Sequence, residues 1–264
     1  MSVCLLALAV RSGKMPVARK SAAAPAAKTP PSPFRGFPKK GVQFLADLKQ
    51  HQDRDWFRER KDIFEELVLH PMQQLAFEAA AACRKRGVPI YAREKNPTTR
   101  IYRDIRFRAN KDPFHTHIGA GLKRPGKDEM GELFIYISAE HGYIGAGFWM
   151  PERPFLETWR AAMAQAPKKF LAVVDSLAKH GLELSQEKPL QRLPRGYSQH
   201  EGTPIEGHLK LVSYTTHRKL KLSEVSSPKL IELVADFAVA AKPLLEYGWA
   251  LGYQPKRDLL DERM

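Results

Sequence analysis

The chain has little cysteine, two residues in 264, and its first 40 residues contain no aspartate or glutamate at all. Cys4 and Cys83 are too few for a disulfide framework and do not form the paired spacing of a zinc ligand set. A reducing, cytoplasmic compartment is the expectation. The sequence also lacks a GxGxxG turn opening a helix, a GxxxxGK[ST] phosphate loop, a GxSxG elbow and an HExxH pair. Those absences exclude the readily recognised nucleotide enzymes, lipases and zinc proteases. The apolar run at residues 2–10 is far shorter than the roughly 20 residues of a membrane span. Its positive charges follow the run, whereas a secretory signal carries them in front. No membrane partner is expected.

Positive charge, by contrast, is abundant: 43 Lys and Arg against 29 Asp and Glu, a formal net charge of +14. The excess is unevenly spread. Residues 1–40 hold eight cations and no anion, and residues 93–111 hold seven cations against Glu94 and Asp104. The remainder, 28 cations against 27 anions, is nearly neutral.

Residues 1–36 are an Ala/Pro/Lys-rich basic segment without hydrophobic periodicity and read as a disordered tail. Translation is expected to start at Met15, where the low-complexity stretch opens. No aromatic residue precedes Phe34, so a solvated tail is favoured over a nucleic-acid arm with bases stacked on it. A single folded domain is expected over residues 37–250, followed by a polar tail at 251–264.

Within that domain, Val42, Phe44, Leu45 and Leu48 suit a short helix ending near His51. Asp53 is placed to cap a second helix carrying Trp56, Phe57, Ile63, Phe64, Leu67 and Val68 at three- and four-residue spacing. Pro71 is expected to stop or kink it, and Met72, Leu75, Ala76, Ala79 and Cys83 continue the period to Gly87. The period then changes to two. Residues 100–108 alternate Ile101, Arg103, Ile105 and Phe107 with Arg100, Tyr102, Asp104, Arg106 and Arg108, predicting a strand. Residues 132–138 and 143–149 flank Ala139–Gly142 as a hairpin. Helical spacing returns around Phe155 to Met163, Phe170 to Leu177 and Leu230 to Ala241, with Pro243 expected to end or kink the last helix. Helices, then strands, then helices predict an α+β fold, an antiparallel sheet with helices from the N- and C-terminal thirds packed around it.

The densest polar stretch runs from Arg100 to His117. On a strand, Arg100, Asp104, Arg106 and Arg108 share a face of guanidinium donors suited to phosphate or carboxylate oxygens. Asp104 among arginines stays ionised and is a candidate to orient one of them or accept a proton. Arg103 falls on the apolar parity, where a buried guanidinium needs a partner. Lys111, His115 and His117 follow at the strand's end. The same residues also fit a structural ion-pair network with the acidic second helix, and both readings stay open.

His115 and His117, two apart, resemble half a metal site, but no acidic or cysteine ligand lies at a telling distance, so no metal set is assigned. Glu140 and His141 at the hairpin tip read as a solvated turn or an acid/base pair. Gly145 and Gly147 leave one strand face bare, for a close-packed helix or for a ligand. Arg195, before Gly196, sits in a turn or in a second anion-contacting loop.

Several separated segments together resemble the bacterial family known as domain of unknown function 2461. They are Phe44-Leu45 with Trp56-Phe57, the central Arg-Ile-Tyr-Arg-Asp-Ile-Arg-Phe, the following Lys-Asp-Pro-Phe-His-Thr-His, the Tyr-Ile-Gly-Ala-Gly strand and the Leu-Pro-Arg-Gly-Tyr loop. The resemblance covers roughly residues 37–249 and implies a single α+β domain, with no reaction and no cofactor attached to it. Where the family pattern tends to a lysine after the aromatic of Lys-x-Pro-aromatic, this chain has His115, which weakens any mechanism needing a permanent cation there.

The expected function is binding of a phosphate- or carboxylate-bearing ligand by Arg100, Arg103, Arg106, Lys111 and Arg195, with Asp104, His115 and His117 as acid/base groups if there is catalysis. A nucleic-acid or protein-binding module without chemistry, and a metal-dependent hydrolase, are the alternatives.

Overall fold

In the computed structural model, residues 33–107, 109–125 and 130–252 are described. Cys4, Met15, Arg108, most of the expected basic tail and residues 253–264 lie outside them. Ordered packing begins before Phe37. Phe34 and Phe37 are both buried, the Phe34 amide donates to the Glu78 carboxylate at 2.6 Å, and the Phe37 amide donates to the Val225 carbonyl at 3.0 Å. The folded part therefore recruits one aromatic anchor, Phe34, from a stretch whose composition reads as tail.

Helix α1 spans Lys39–Gln50 and buries Phe44, Leu45 and Leu48. Asp53 caps α2 (Arg54–Glu59), its carboxylate accepting the amides of Asp55 and Trp56 at 3.0 and 2.8 Å, two donors that a helix start otherwise leaves unpaired. A short α3 (Lys61–Phe64) passes through a π turn at Glu65–Leu69 into α4 (His70–Lys85), with Pro71 in its first turn. Pro71 thus neither ends the helical path nor sits inside a regular helix. A regular helix would press the proline ring on the carbonyl of Leu67, and the wider π turn relieves that contact.

The sheet has five antiparallel strands in chain order: β1 (Tyr91–Ala92), β2 (His117–Lys123), β3 (Glu132–Ser138), β4 (Gly142–Phe148) and β5 (Tyr214–Leu220). The hairpin read from sequence is β3–β4, closed where the Ser138 hydroxyl and amide both donate to the His141 carbonyl at 2.9 Å. Helices α5 (Arg153–Gln165) and α6 (Pro167–Lys179) follow β4. The short α7 (Glu206–Leu209) and α8 (Leu222–Val225) flank β5. Helix α9 (Leu230–Ala250) runs through Pro243 without ending, its two halves held by buried Ala238, Ala241, Leu244 and Leu245.

One face of the sheet carries Ile118, Ala120, Leu133, Ile135, Ile137 and Ile144, all buried. Against the sheet pack α4 on β1 and β2, α1 on β3, and α9 on β4 and β5. Fully burying one such isoleucine is worth about 1.5–3 kcal/mol. The result is an α+β fold with the helices from both ends of the chain forming the layer over the sheet. Cys83 lies inside that layer, where burial pushes its thiol pKa up to about 12 and keeps it protonated.

Arg108 lies outside the described residues, and residues 100–107 do not form the predicted strand. Only its first part pairs: Tyr102 makes a single antiparallel bridge to Phe114, and Arg103 and His115 donate to the Pro113 and Ile101 carbonyls. From Asp104 the chain turns, because its polar side chains bond within the segment instead of leaving the backbone to a neighbouring strand.

Gly41 of α1 lies so close to α4's approach that an added Cβ would fall against the Leu67 carbonyl. Gly41→Ala is expected to lower stability by about 1–3 kcal/mol in urea denaturation, although alanine is the better helix former. Gly207→Ala in α7, where nothing lies within 4 Å of the added carbon, should leave stability unchanged or slightly raised.

Candidate functional site

Side chains of alternate parity cover the sheet's other face, and none of the described helices α1, α4 and α9 that pack on the sheet lies over them. From β2 come His117, Gly119 and Gly121; from β3, Glu132, Phe134 and Tyr136; from β4, Tyr143 and Gly145; from β5, Thr215, His217 and Lys219. Register aligns them: Gly121 faces Phe134, Phe134 faces Gly145, and Gly145 faces His217, while Tyr136 faces Tyr143 and Tyr143 faces Lys219.

The rings stack in a row across this face. His115 and His117 lie 4.9 Å apart, His117 and Tyr136 4.6 Å at 29°, and Tyr136 and Tyr143 4.8 Å at 15°. His141 stacks on Tyr136 from the hairpin turn at 5.4 Å. Rings stacked face to face across neighbouring strands stand upright, so they present polar edges to solvent and keep their flat faces to one another. Burial, with the neighbouring His115, pushes the His117 pKa down to about 4, so its imidazole is neutral at pH 7. Burial also raises both tyrosine hydroxyls above their ordinary values, which keeps them as donors.

Beside the row lies a cleft of about 570 Å³ between Glu132, Phe134, Tyr143, Gly145, Trp149, Glu187, His217 and Lys219. An added Cβ at Gly145 would meet only ordinary contacts, the Thr216 carbonyl at 3.6 Å and the Tyr143 ring at 3.7 Å; Gly147 instead admits the close approach of the β5 backbone at Tyr214. Neither bare position packs on a helix. Trp149 is 71% exposed, and the turn after it holds Met150 at a positive φ of 43° with its amide donating to the buried Ser213 hydroxyl at 2.8 Å. Lys219 and His217 have no ion pair among the described residues, nor does Glu187, whereas Glu132 pairs with Lys123 at 3.4 Å.

The residues expected from sequence fall in three places. Arg100, Arg103, Asp104, Arg106 and Lys111 share the loop before β2. There Asp104 takes two bonds from the Arg106 guanidinium at 3.1 and 2.8 Å, Arg103 lies 3.8 Å from Asp112, and the Lys111 ammonium donates to the Ile105 carbonyl at 3.1 Å. Much of this arginine cluster is thus an ion-pair network internal to the loop, not one with the acidic second helix. His115 and His117 begin the ring row. Arg195 lies in the connection from α6 to β5, exposed and with no ion pair among the described residues. Glu140 pairs with Lys49 of α1. Tyr136, Tyr143, Trp149, Glu187, His217 and Lys219 do not stand out as site residues in the sequence; the usable signal is Glu132, Phe134 and Tyr136 alternating with Leu133, Ile135 and Ile137.

Among the described residues, no group of three His, Cys, Asp or Glu is arranged to hold a metal ion, and no helix is long and apolar enough to cross a membrane.

An unfolded histidine takes a proton near 6.5, while folded His117 resists protonation down to about 4. Between those values the unfolded state binds more protons, so stability falls as pH drops through that window. The His117 ring is expected to titrate near pH 4 by NMR, and His117→Phe should flatten part of the stability slope between pH 6.5 and 4. His208, lowered by its own burial, should retain its share.

No curated protein and no solved structure matches the chain. A family model described as "Conserved hypothetical protein (DUF2461)" matches residues 40–247, from α1 through all five strands into α9. With that much of its length inside the match, the chain belongs to the conserved hypothetical protein family DUF2461.

Proposed function

We propose that this protein binds a small organic molecule bearing a carboxylate or phosphate on the open face of the sheet. The observation that carries the reading is the cleft over Gly145, where a bare floor walled by Phe134, Tyr143 and Trp149 meets Lys219 and His217 at one end. A side chain at position 145 would fill that space. Apolar walls with a few convergent polar groups are the usual make-up of a small-molecule site, and an ammonium without a protein partner favours an anionic group beside it.

Glu187 lines the same cleft. It disfavours a bare polyanion and favours a ligand with a hydrogen-bond donor or cation on its body. Arg106 and Arg103 already have carboxylate partners in their own loop, so the anionic group of the ligand in this cleft is assigned to Lys219 and His217, which have no ion pair among the described residues.

A thermal-shift screen of carboxylates, amino acids and small phosphate esters, followed by calorimetry, tests the reading. A stabilising ligand is expected. Lys219→Ala should weaken it about 10- to 100-fold, the worth of a charged hydrogen bond, and Gly145→Leu should abolish binding without lowering stability. No stabilisation by any of these compounds, or unchanged binding in Gly145→Leu, would overturn it.

A further inference from the structure

A second surface is independent of the cleft. The loop between Thr98 and His117 ends in Phe107, a phenyl ring 94% exposed, while Tyr102 at its base is 56% exposed and packs on Phe57 and Phe114 at 5.7 and 5.3 Å. Leaving a large ring in water has no stabilising role in the fold. The loop is nonetheless tightly braced. Besides the guanidinium, the Arg106 amide donates to Asp104 at 3.2 Å, the Asp112 amide donates to the Asn110 side chain at 2.7 Å, and Lys111 ties the tip back to Ile105.

This bracing has an electrostatic consequence. Asp104 and Asp112 are partly exposed but each pairs with an arginine of the loop, Asp104 with Arg106 and Asp112 with Arg103, and beside these pairs the loop exposes the Phe107 ring, Arg100 and Lys111. The Arg106 guanidinium sits 5.9 Å from the ring centre. The surrounding stretch, residues 93–111, carries seven cations against two anions in an otherwise nearly neutral folded body.

We propose that this loop tip docks on single-stranded nucleic acid, with Phe107 stacking on an unpaired base and Arg100, Arg106 and Lys111 contacting phosphates. A single strand offers base faces and phosphates in alternation, and every base presents a face to stack on. A lipid surface is a poorer fit, because one phenyl ring buries too little apolar area to hold a protein there. An acidic protein patch would leave the ring unused.

The test uses the full chain and a fluorescein-labelled oligouridylate of about 20 nucleotides, read by fluorescence anisotropy from 50 to 300 mM KCl. Binding is expected to weaken with salt, with a log–log slope near −2 for about three phosphate contacts at roughly −0.7 each. Phe107→Ala should weaken it about 5- to 100-fold, the worth of one stacked base, and Phe107→Trp should restore it. Arg100→Ala should make the slope shallower by about 0.7. Circular dichroism melts of these surface variants should match the parent protein. Salt-sensitive binding that Phe107→Ala leaves unchanged would assign the contact to charge alone, as through the basic N-terminal segment, and overturn the proposal. Absence of binding at 50 mM KCl would overturn it too, as would capture by phosphatidylserine vesicles without oligonucleotide binding.

Discussion

Ile118, Ile135, Ile144 and their neighbours can be buried only if every strand turns the same parity toward one helical layer, and among the described residues no helix is packed over the other parity. This one-sidedness governs the molecule. α1, α4 and α9 come from opposite ends of the chain, yet all three pack against the sheet, with α6 resting on α9 behind them. β2, β3 and β4 therefore each pair an apolar face with a polar, glycine or aromatic one, and their register cannot slip by one residue without exchanging the two.

The exposed parity solves its own problem by cross-strand packing. Tyr136 and Tyr143 shield each other, and His117 and His141 extend the stack, so rings that would otherwise lie against water bury their faces mutually. That arrangement leaves hydroxyl and imidazole edges outward, suited to hydrogen bonding more than to receiving a base between them. The two proposed surfaces follow from this contrast. Stacking capacity is used up on the sheet but remains free at Phe107, and the unpaired Lys219 stands at the cleft, whereas the arginines of the loop serve first to shape the loop itself.

The helices were legible because their causes are local: the Asp53 cap, the three- and four-residue spacing in α1 and α4, the apolar stripes of α5 and α6. The β3–β4 hairpin was legible for the same reason. Pro71 and Pro243 were harder, since a π turn in one case and burial in the other absorbed what a proline does to an unsupported helix. Residues 100–108 alternated as a strand does, but alternation cannot say whether a partner strand exists. Asp104, Asn110 and Asp112 instead bonded within the segment and turned it.

The site was less legible than the fold. His117, His141, Gly145 and Gly147 each stood out in the sequence, but separately, and Lys219, His217 and Tyr136 looked like the solvent side of ordinary strands. By itself the sequence determined the α+β class, the positions of most helices, the family and the concentration of charge in two short stretches, because these depend on composition, spacing and motif order. Only the tertiary structure decided that residues from β2 to β5 share one face and that Glu187 lines a cleft with them. Those facts rest on strand order and register, which are fixed by pairings as distant in sequence as Gly142 with Leu220 and leave no mark in any local pattern.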